Sequence, residues 1–322
     1  MEVDAEEKKE LSKTQVLDIQ SKLVNKVLPV LERHLTENDD KHSIRGFVVV
    51  CLAKTIRKLP PATFSNRLSK LVNMIVVQGL RSRDLSHREK ARKALIKLVD
   101  EVSPRFLSII FEEMKSQLTK GFQQHVYLFT IHSLLQGLSE SKALKPSCIT
   151  SRMINLNADI LLNELFGELN DEKDNAQNND IKLIKESKAR KAIPIFEIFS
   201  EYIEFKSSFM ELLAPIINVL DQNPSFGKVQ QCEDLLSRVS SSLMRNKTVG
   251  GPTLLLFLYS IIERGVKLAT KVKINDDKEE RDYGASQSVQ IQKRTREEYK
   301  EINMKVEMFW KKGHQTIDSK KT

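Results

Sequence analysis

Apolar residues recur along most of this chain at steps of three and four, the spacing that lays one buried face along a helix. In residues 23–35 the stripe is Val27, Leu28, Leu31 and Leu35, and in residues 86–102 it is Ala91, Ala94, Leu95 and Leu98. Between residues 22 and 141 the pattern falls into three units of one build: an amphipathic helix, a short turn, then a second helix with its own stripe. The first helices are predicted at 23–35, 64–80 and 105–118, and their partners at 42–59, 86–102 and 122–138. Leu28, Leu68 and Leu107 hold comparable places, 40 and then 39 residues apart, and Arg45 and Arg88 open successive partner helices 43 apart. A period near 40 with two helices per unit lies in the HEAT/armadillo range. Pro29, within Leu-Pro-Val-Leu, matches the kinked first helix of a HEAT unit. One helix pair cannot bury its own apolar face, but a stack of pairs can. The predicted fold is all-α, a HEAT/armadillo-like α-solenoid of stacked antiparallel helix pairs. A closed helical bundle is the alternative, and it needs no such regular spacing.

Past Pro146 the pattern is less regular. Residues 147–169 read as one long helix or a helix pair, ending at Phe166-Gly167. Residues 170–180 (NDEKDNAQNND) are polar and acidic, a loop. Helical text resumes at Ile181, and Pro194 is expected to kink or end that helix. Further helices are predicted at 209–220, 227–245 and 252–269, with Gly250-Gly251-Pro252 stopping one and placing proline in the first turn of the next. Residues 254–262 are apolar nearly all round, which calls for burial on several sides or for a neighbour this chain lacks. The resulting organisation is a lead-in (1–22), a solenoid (23–270, polar loop 170–180), a charged flexible linker (271–295) and a C-terminal amphipathic helix with its tail (296–322). On that last helix Tyr299, Ile302, Val306 and Phe309 form one stripe with Trp310 beside it, a candidate face for docking a partner or the array itself.

Composition narrows the picture. In 322 residues there are only 11 Gly and 9 Pro, too few punctuators for a many-stranded sandwich or propeller. Cys51, Cys148 and Cys232 lie far apart with no C-x-x-C pair, so neither a disulfide framework nor a zinc ribbon is written here. The first residues are acidic where a signal peptide is basic and then apolar. The longest apolar run, 253–262, is half of the roughly 20 residues that span a bilayer. These features lead us to expect a soluble intracellular protein with no membrane contact.

The formal net charge of +9 favours contact with polyanions without proving it. The strongest basic cluster is Arg81, Arg83, Arg88, Lys90, Arg92, Lys93 and Lys97, against only Asp84 and Glu89. Arg81 and Arg83 fall in the turn, and Arg88, Arg92 and Lys93 fall on the polar side of the helix, opposite Ala91, Ala94 and Leu95. Seven cations at this density can neutralise several phosphates together, and an ordinary solvated helix face accounts for the same residues. No aromatic interleaves with the cluster in sequence, so base stacking gains no support here. Two lesser clusters, 182–191 (with Lys185, Lys188 and Arg190) and Lys293-Arg294-Thr295-Arg296, are short and interrupted.

Other chemistry is sparse. His125 and His132 are seven apart, too far for an i, i+4 zinc pair. His34, Asp39, Asp40 and His42 make an acidic turn without the Gly and terminal Glu of a calcium loop. No phosphate-binding glycine loop, nucleophile elbow or kinase motif is present. The expectation is a non-enzyme with no metal, no cofactor and no small-molecule substrate.

Several strings are distinctive: Val27-Leu-Pro-Val-Leu-Glu-Arg-His-Leu-Thr-Glu, Arg57-Lys-Leu-Pro, Pro104-Arg-Phe-Leu, Lys120-Gly-Phe-Gln-Gln-His-Val and Asn163-Glu-Leu-Phe-Gly-Glu. Over residues 23–205 the chain resembles the interior HEAT-repeat segment of the small subunit processome component 20 family, also called down-regulated in metastasis (DRIM). The resemblance implies a non-catalytic solenoid scaffold in the nucleus and nucleolus. Its implied partners are pre-ribosomal RNA and processome proteins, and its implied task is early processing towards 18S RNA. Family members are several times longer than this chain. The competing expectation is a HEAT adaptor that binds proteins only, of the transport-receptor or phosphatase-scaffold type.

Overall fold

The computed structural model describes residues 12–36, 44–119, 121–146, 148–167, 186, 190–222, 224–259 and 262–263, and every regular element among them is a helix. The first helix, α1 (Lys13–Lys22), starts at a capping box: Gln15 N donates to Ser12 Oγ at 3.3 Å and Ser12 N to Gln15 Oε1 at 2.9 Å. It begins earlier than the periodicity suggests because none of its residues is buried, so it carries no apolar signal. A π turn, Leu23–Val27, joins it to α2 (Leu28–Thr36), with Leu28 N donating to the Leu23 carbonyl five residues back. Pro29, which has no N–H, follows at once, and the widened turn is the local adjustment next to it.

The chain continues through α3 (Gly46–Ile56), α4 (Pro61–Ile75) with a second π turn (Val76–Leu80), α5 (Leu85–Val102), a 3-10 turn (Pro104–Phe106), α6 (Leu107–Gln117), α7 (Phe122–Glu140) and α8 (Ser151–Phe166). Then come α9 (Ala192–Tyr202), α10 (Phe205–Leu220) and α11 (Phe226–Leu243). Residues 151–166 therefore form one helix and not a pair. Pro194 neither kinks nor ends a helix. It is the third residue of α9, where the N–H it lacks has no partner inside the helix anyway. Pro61 opens α4 in the same way. Ser103 (φ 110°) followed by Pro104 ends α5.

Two compact units are distinguished. The first comprises Met1–Ile216 with Phe226–Gly250. Within it, consecutive helices pair (α2 with α3, α4 with α5, α6 with α7), and like members stack on like: α4 on α6 and α6 on α8 in one layer, α3 on α5, α5 on α7, α7 on α9 and α9 on α11 in the other. This is the HEAT-like α-solenoid that the spacing predicted. Leu28, Leu68 and Leu107, singled out by their period, are each fully buried at the start or middle of a first-layer helix. The Phe64 and Phe106 rings meet between neighbouring repeats with centroids 4.7 Å apart and planes tilted by 52°.

Side-chain contacts between repeats repeat at nearly the same sequence distance. Lys70 reaches Glu32 over 38 residues, Arg152 reaches Glu112 over 40, Arg238 reaches Glu197 over 41, and Arg57 and Arg245 reach residues 44 away. The step lengthens to 63 residues between Ser139 and Tyr202, which bond at 2.8 Å across α7 and α9, because the polar stretch between α8 and α9 is inserted there. The second unit comprises Ile217–Ser225 with Gly251–Thr322. In it residues 251–259 are helical, with Leu255, Leu256, Leu258 and Tyr259 exposed. Burial on several sides, one of the two readings of this apolar stretch, does not hold for these four.

Candidate nucleic-acid interface

The second helix of repeat two, α5, carries the cluster. Asp84 caps it by accepting from Ser86 N at 2.7 Å, which fixes the turn that holds Arg81 and Arg83. Lys90, Lys93 and Lys97 then follow at steps of three and four, so they rise one above another along a single face over about 10 Å. All three are exposed, as are Arg81 and Arg83. None of these five side chains has a carboxylate within ion-pair distance among the described residues. Among the described residues, then, this face carries positive charge that no neighbouring carboxylate offsets.

Arg88 and Arg92 are in a different position. The helix pattern put them on the polar side, but they are only 2% and 4% exposed. Glu186, itself 1% exposed and supplied from between α8 and α9, lies over them. Arg88 donates through Nε and Nη2 to its two carboxylate oxygens at 2.8 Å each, and Arg92 Nη1 donates at 3.0 Å. Arg88 Nη1 is held by the carbonyls of Ser82 and Arg83 at 2.9 and 2.8 Å. The Arg92 guanidinium lies 4.8 Å over the Phe129 ring, and Lys191 Nζ is 5.2 Å from the same ring. Burial alone raises the Glu186 carboxyl, yet the hydrogen bonds from Arg88 and the charges of both arginines outweigh it and hold the group below its usual range. Arg88 and Arg92 are thus corrected from phosphate contacts to members of an internal ion cluster. No local signal reveals this, because the partner lies 98 residues downstream of Arg88.

The remaining candidates separate cleanly. His125 is buried in α7, and His132 is pushed down to about 4 by burial first and by the charge of Lys191 second. No group of three or more His, Cys, Asp or Glu suited to a metal ion occurs among the described residues. Nor is any described helix long and apolar enough to cross a membrane. Arg190 and Lys191 are described, while Lys182, Lys185, Lys188, the 293–296 cluster and the docking stripe of Tyr299, Ile302, Val306, Phe309 and Trp310 lie outside the described residues.

Stacked helix pairs with an exposed basic ridge place the chain in the class of helical-repeat α-solenoids. Within that class the family profile described as the U3 small nucleolar RNA-associated protein 20 domain matches residues 35–262, and the chain belongs to this family. The resemblance drawn from the distinctive strings is borne out. The chain is 28% identical over 247 residues to the U3 small nucleolar RNA-associated protein 20 of Schizosaccharomyces pombe, covering 76% of this chain. It is 26% identical over 262 residues to the protein of the same name in Saccharomyces cerevisiae, covering 80% of this chain. The matched stretch amounts to 10% of the length of each of these relatives.

Proposed function

We propose that this chain acts as a non-catalytic scaffold of the small-subunit processome, assisting early pre-rRNA processing towards 18S rRNA and the small ribosomal subunit in the nucleolus. The observation that carries this reading is the family match across the solenoid, since both relatives are named for association with the U3 small nucleolar RNA. The physical mechanism is binding. Stacked helix pairs offer a long rigid surface to processome proteins, while Arg81, Arg83, Lys90, Lys93 and Lys97 neutralise phosphates of the pre-ribosomal RNA. Five such contacts release counterions and give a slope of log K against log salt of about −3.5 for a single strand. A protein-only adaptor has a slope near zero.

Two measurements test the proposal. Tagged chain is purified from its own cells with and without RNase, and RNA affinity of the pure protein is titrated against salt. Recovery of early pre-18S RNA with nucleolar assembly factors, together with a steep salt slope, is the expected result. Recovery of transport or phosphatase partners, with no RNA and no slope, refutes it.

A further inference from the structure

The helix next to the lysine ridge adds an aromatic ring that the linear sequence keeps apart from it. Two contacts fix how α3 lies along α5. Near their starts, Gly79 is wedged between Ile44 and Ala91: a methyl built on it would stand 2.5 Å from Ala91 Cβ and would also overlap Ile44 Cδ1. Near their ends, Lys54 Nζ is 3.6 Å from Glu101 Oε1, and Arg57 Nη1 donates to the Glu101 carbonyl at 2.7 Å. Ile44, just ahead of α3, and Ala91 flank the same glycine while Lys54 and Glu101 meet further on, so the two helices run in the same direction. Counting seven residues back from the ion pair on each helix brings Phe47 near the level of Ala94, between Lys90 and Lys97 along α5. On α3, Phe47 is seven residues before Lys54 and shares its face. On α5, Lys97 and Lys90 lie four and eleven residues before Glu101 and share its face. The faces that meet at the ion pair thus carry Phe47, Lys90 and Lys97 together.

Phe47 is 69% exposed, so the face of its ring is open to a ligand. Its neighbours on the exposed face of α3 are Cys51 and Lys54, and across the groove stand lysines. A docking protein helix needs an apolar stripe, whereas the exposed residues that follow Phe47 on α3 are Cys51 and Lys54 and those flanking its level on α5 are Lys90 and Lys97. An unpaired base satisfies both features: its π face stacks on the ring while the flanking phosphates meet the lysines. In duplex RNA the base faces are already stacked and out of reach.

We propose that Phe47 is a stacking platform for a base of single-stranded RNA whose phosphates are held by Lys90, Lys93 and Lys97. The inference rests on the RNA-binding reading above, and the test separates the two. The full chain is titrated with a ten-nucleotide oligouridylate and with an RNA duplex of ten base pairs, at several salt concentrations, as wild type, F47L and K90A/K93A/K97A. All four positions are exposed, and helical circular dichroism checks that each variant is folded. F47L is expected to weaken single-strand binding about 5- to 150-fold, the range that loss of one base–aromatic stack gives. It leaves duplex binding and the salt slope unchanged, while the triple lysine variant lowers the slope by about 2. Cys51, exposed one turn beyond Phe47, gives an independent readout: the single strand protects it from a maleimide in the wild type and not in F47L. Equal single-strand affinity for wild type and F47L, with the slope intact, overturns the stacking platform and leaves RNA binding standing. No salt-dependent RNA binding by the wild type overturns both. Loss of a processome protein from F47L in a pull-down, with RNA affinity unchanged, also overturns the platform and assigns the ring to a protein partner.

Discussion

Replacing Glu186 by glutamine keeps the side chain's shape and removes the charge that two buried guanidinium groups depend on. The cluster has three charge-assisted bonds of 2.8 to 3.0 Å. Arg88 cannot swing into solvent to recover, because the Ser82 and Arg83 carbonyls hold its Nη1. Removing one partner of a buried pair costs about 3–5 kcal/mol, and since the glutamine oxygen still accepts one bond, the lower end of about 3 kcal/mol applies. The Glu186 carboxyl is held low in the fold, so the unfolded chain binds its proton more readily. Its contribution is therefore complete above about pH 5 and is lost as pH falls through the folded value. Urea unfolding followed by helical circular dichroism at pH 7 should separate E186Q from wild type by that amount, and the gap should close at low pH. Hydrogen exchange should localise the loss to α5. An R88M/R92M/E186L triple, with no charge left to strand, should regain most of the stability. A pH 7 gap under about 0.5 kcal/mol, or a triple as weak as E186Q, would refute the account.

Other outcomes follow from single contacts. G79A drives a methyl into Ala91 and Ile44 and should cost about 1–3 kcal/mol in thermal melts, with I44V on the same chain recovering part of it. Tyr127 Oη donates to Asn157 Oδ1 at 2.7 Å in the core, so Y127F strands that oxygen and should cost about 1–3 kcal/mol by urea titration. By NMR, His132 should titrate near 4, and K191M should raise that midpoint. Because the fold keeps His132 neutral while the unfolded chain takes up the proton, this residue withdraws stability as pH falls from about 6.5 towards 4.

The sequence by itself determined the helices that carry an apolar stripe and their order, but not α1, which buries nothing. A stripe at three-and-four spacing is a local property, and in a solenoid each repeat touches only its neighbours, so a period near 40 is enough to write the stacking. Leu28, Leu68 and Leu107 were legible as equivalent positions and are all fully buried. The lysine ridge was legible too, because Lys90, Lys93 and Lys97 share a face on any helix. Only the tertiary structure decided what lies over that helix. Arg88 and Arg92 read as solvated until a carboxylate from another repeat covered them, and a helix wheel cannot tell water from such a group. It also set α3 beside α5 in the same direction, which brings Phe47 near the level of Ala94, between Lys90 and Lys97 along α5. That placement comes from the Lys54–Glu101 pair and from Ile44 and Ala91 both packing on Gly79, contacts between segments that no pattern within either helix contains.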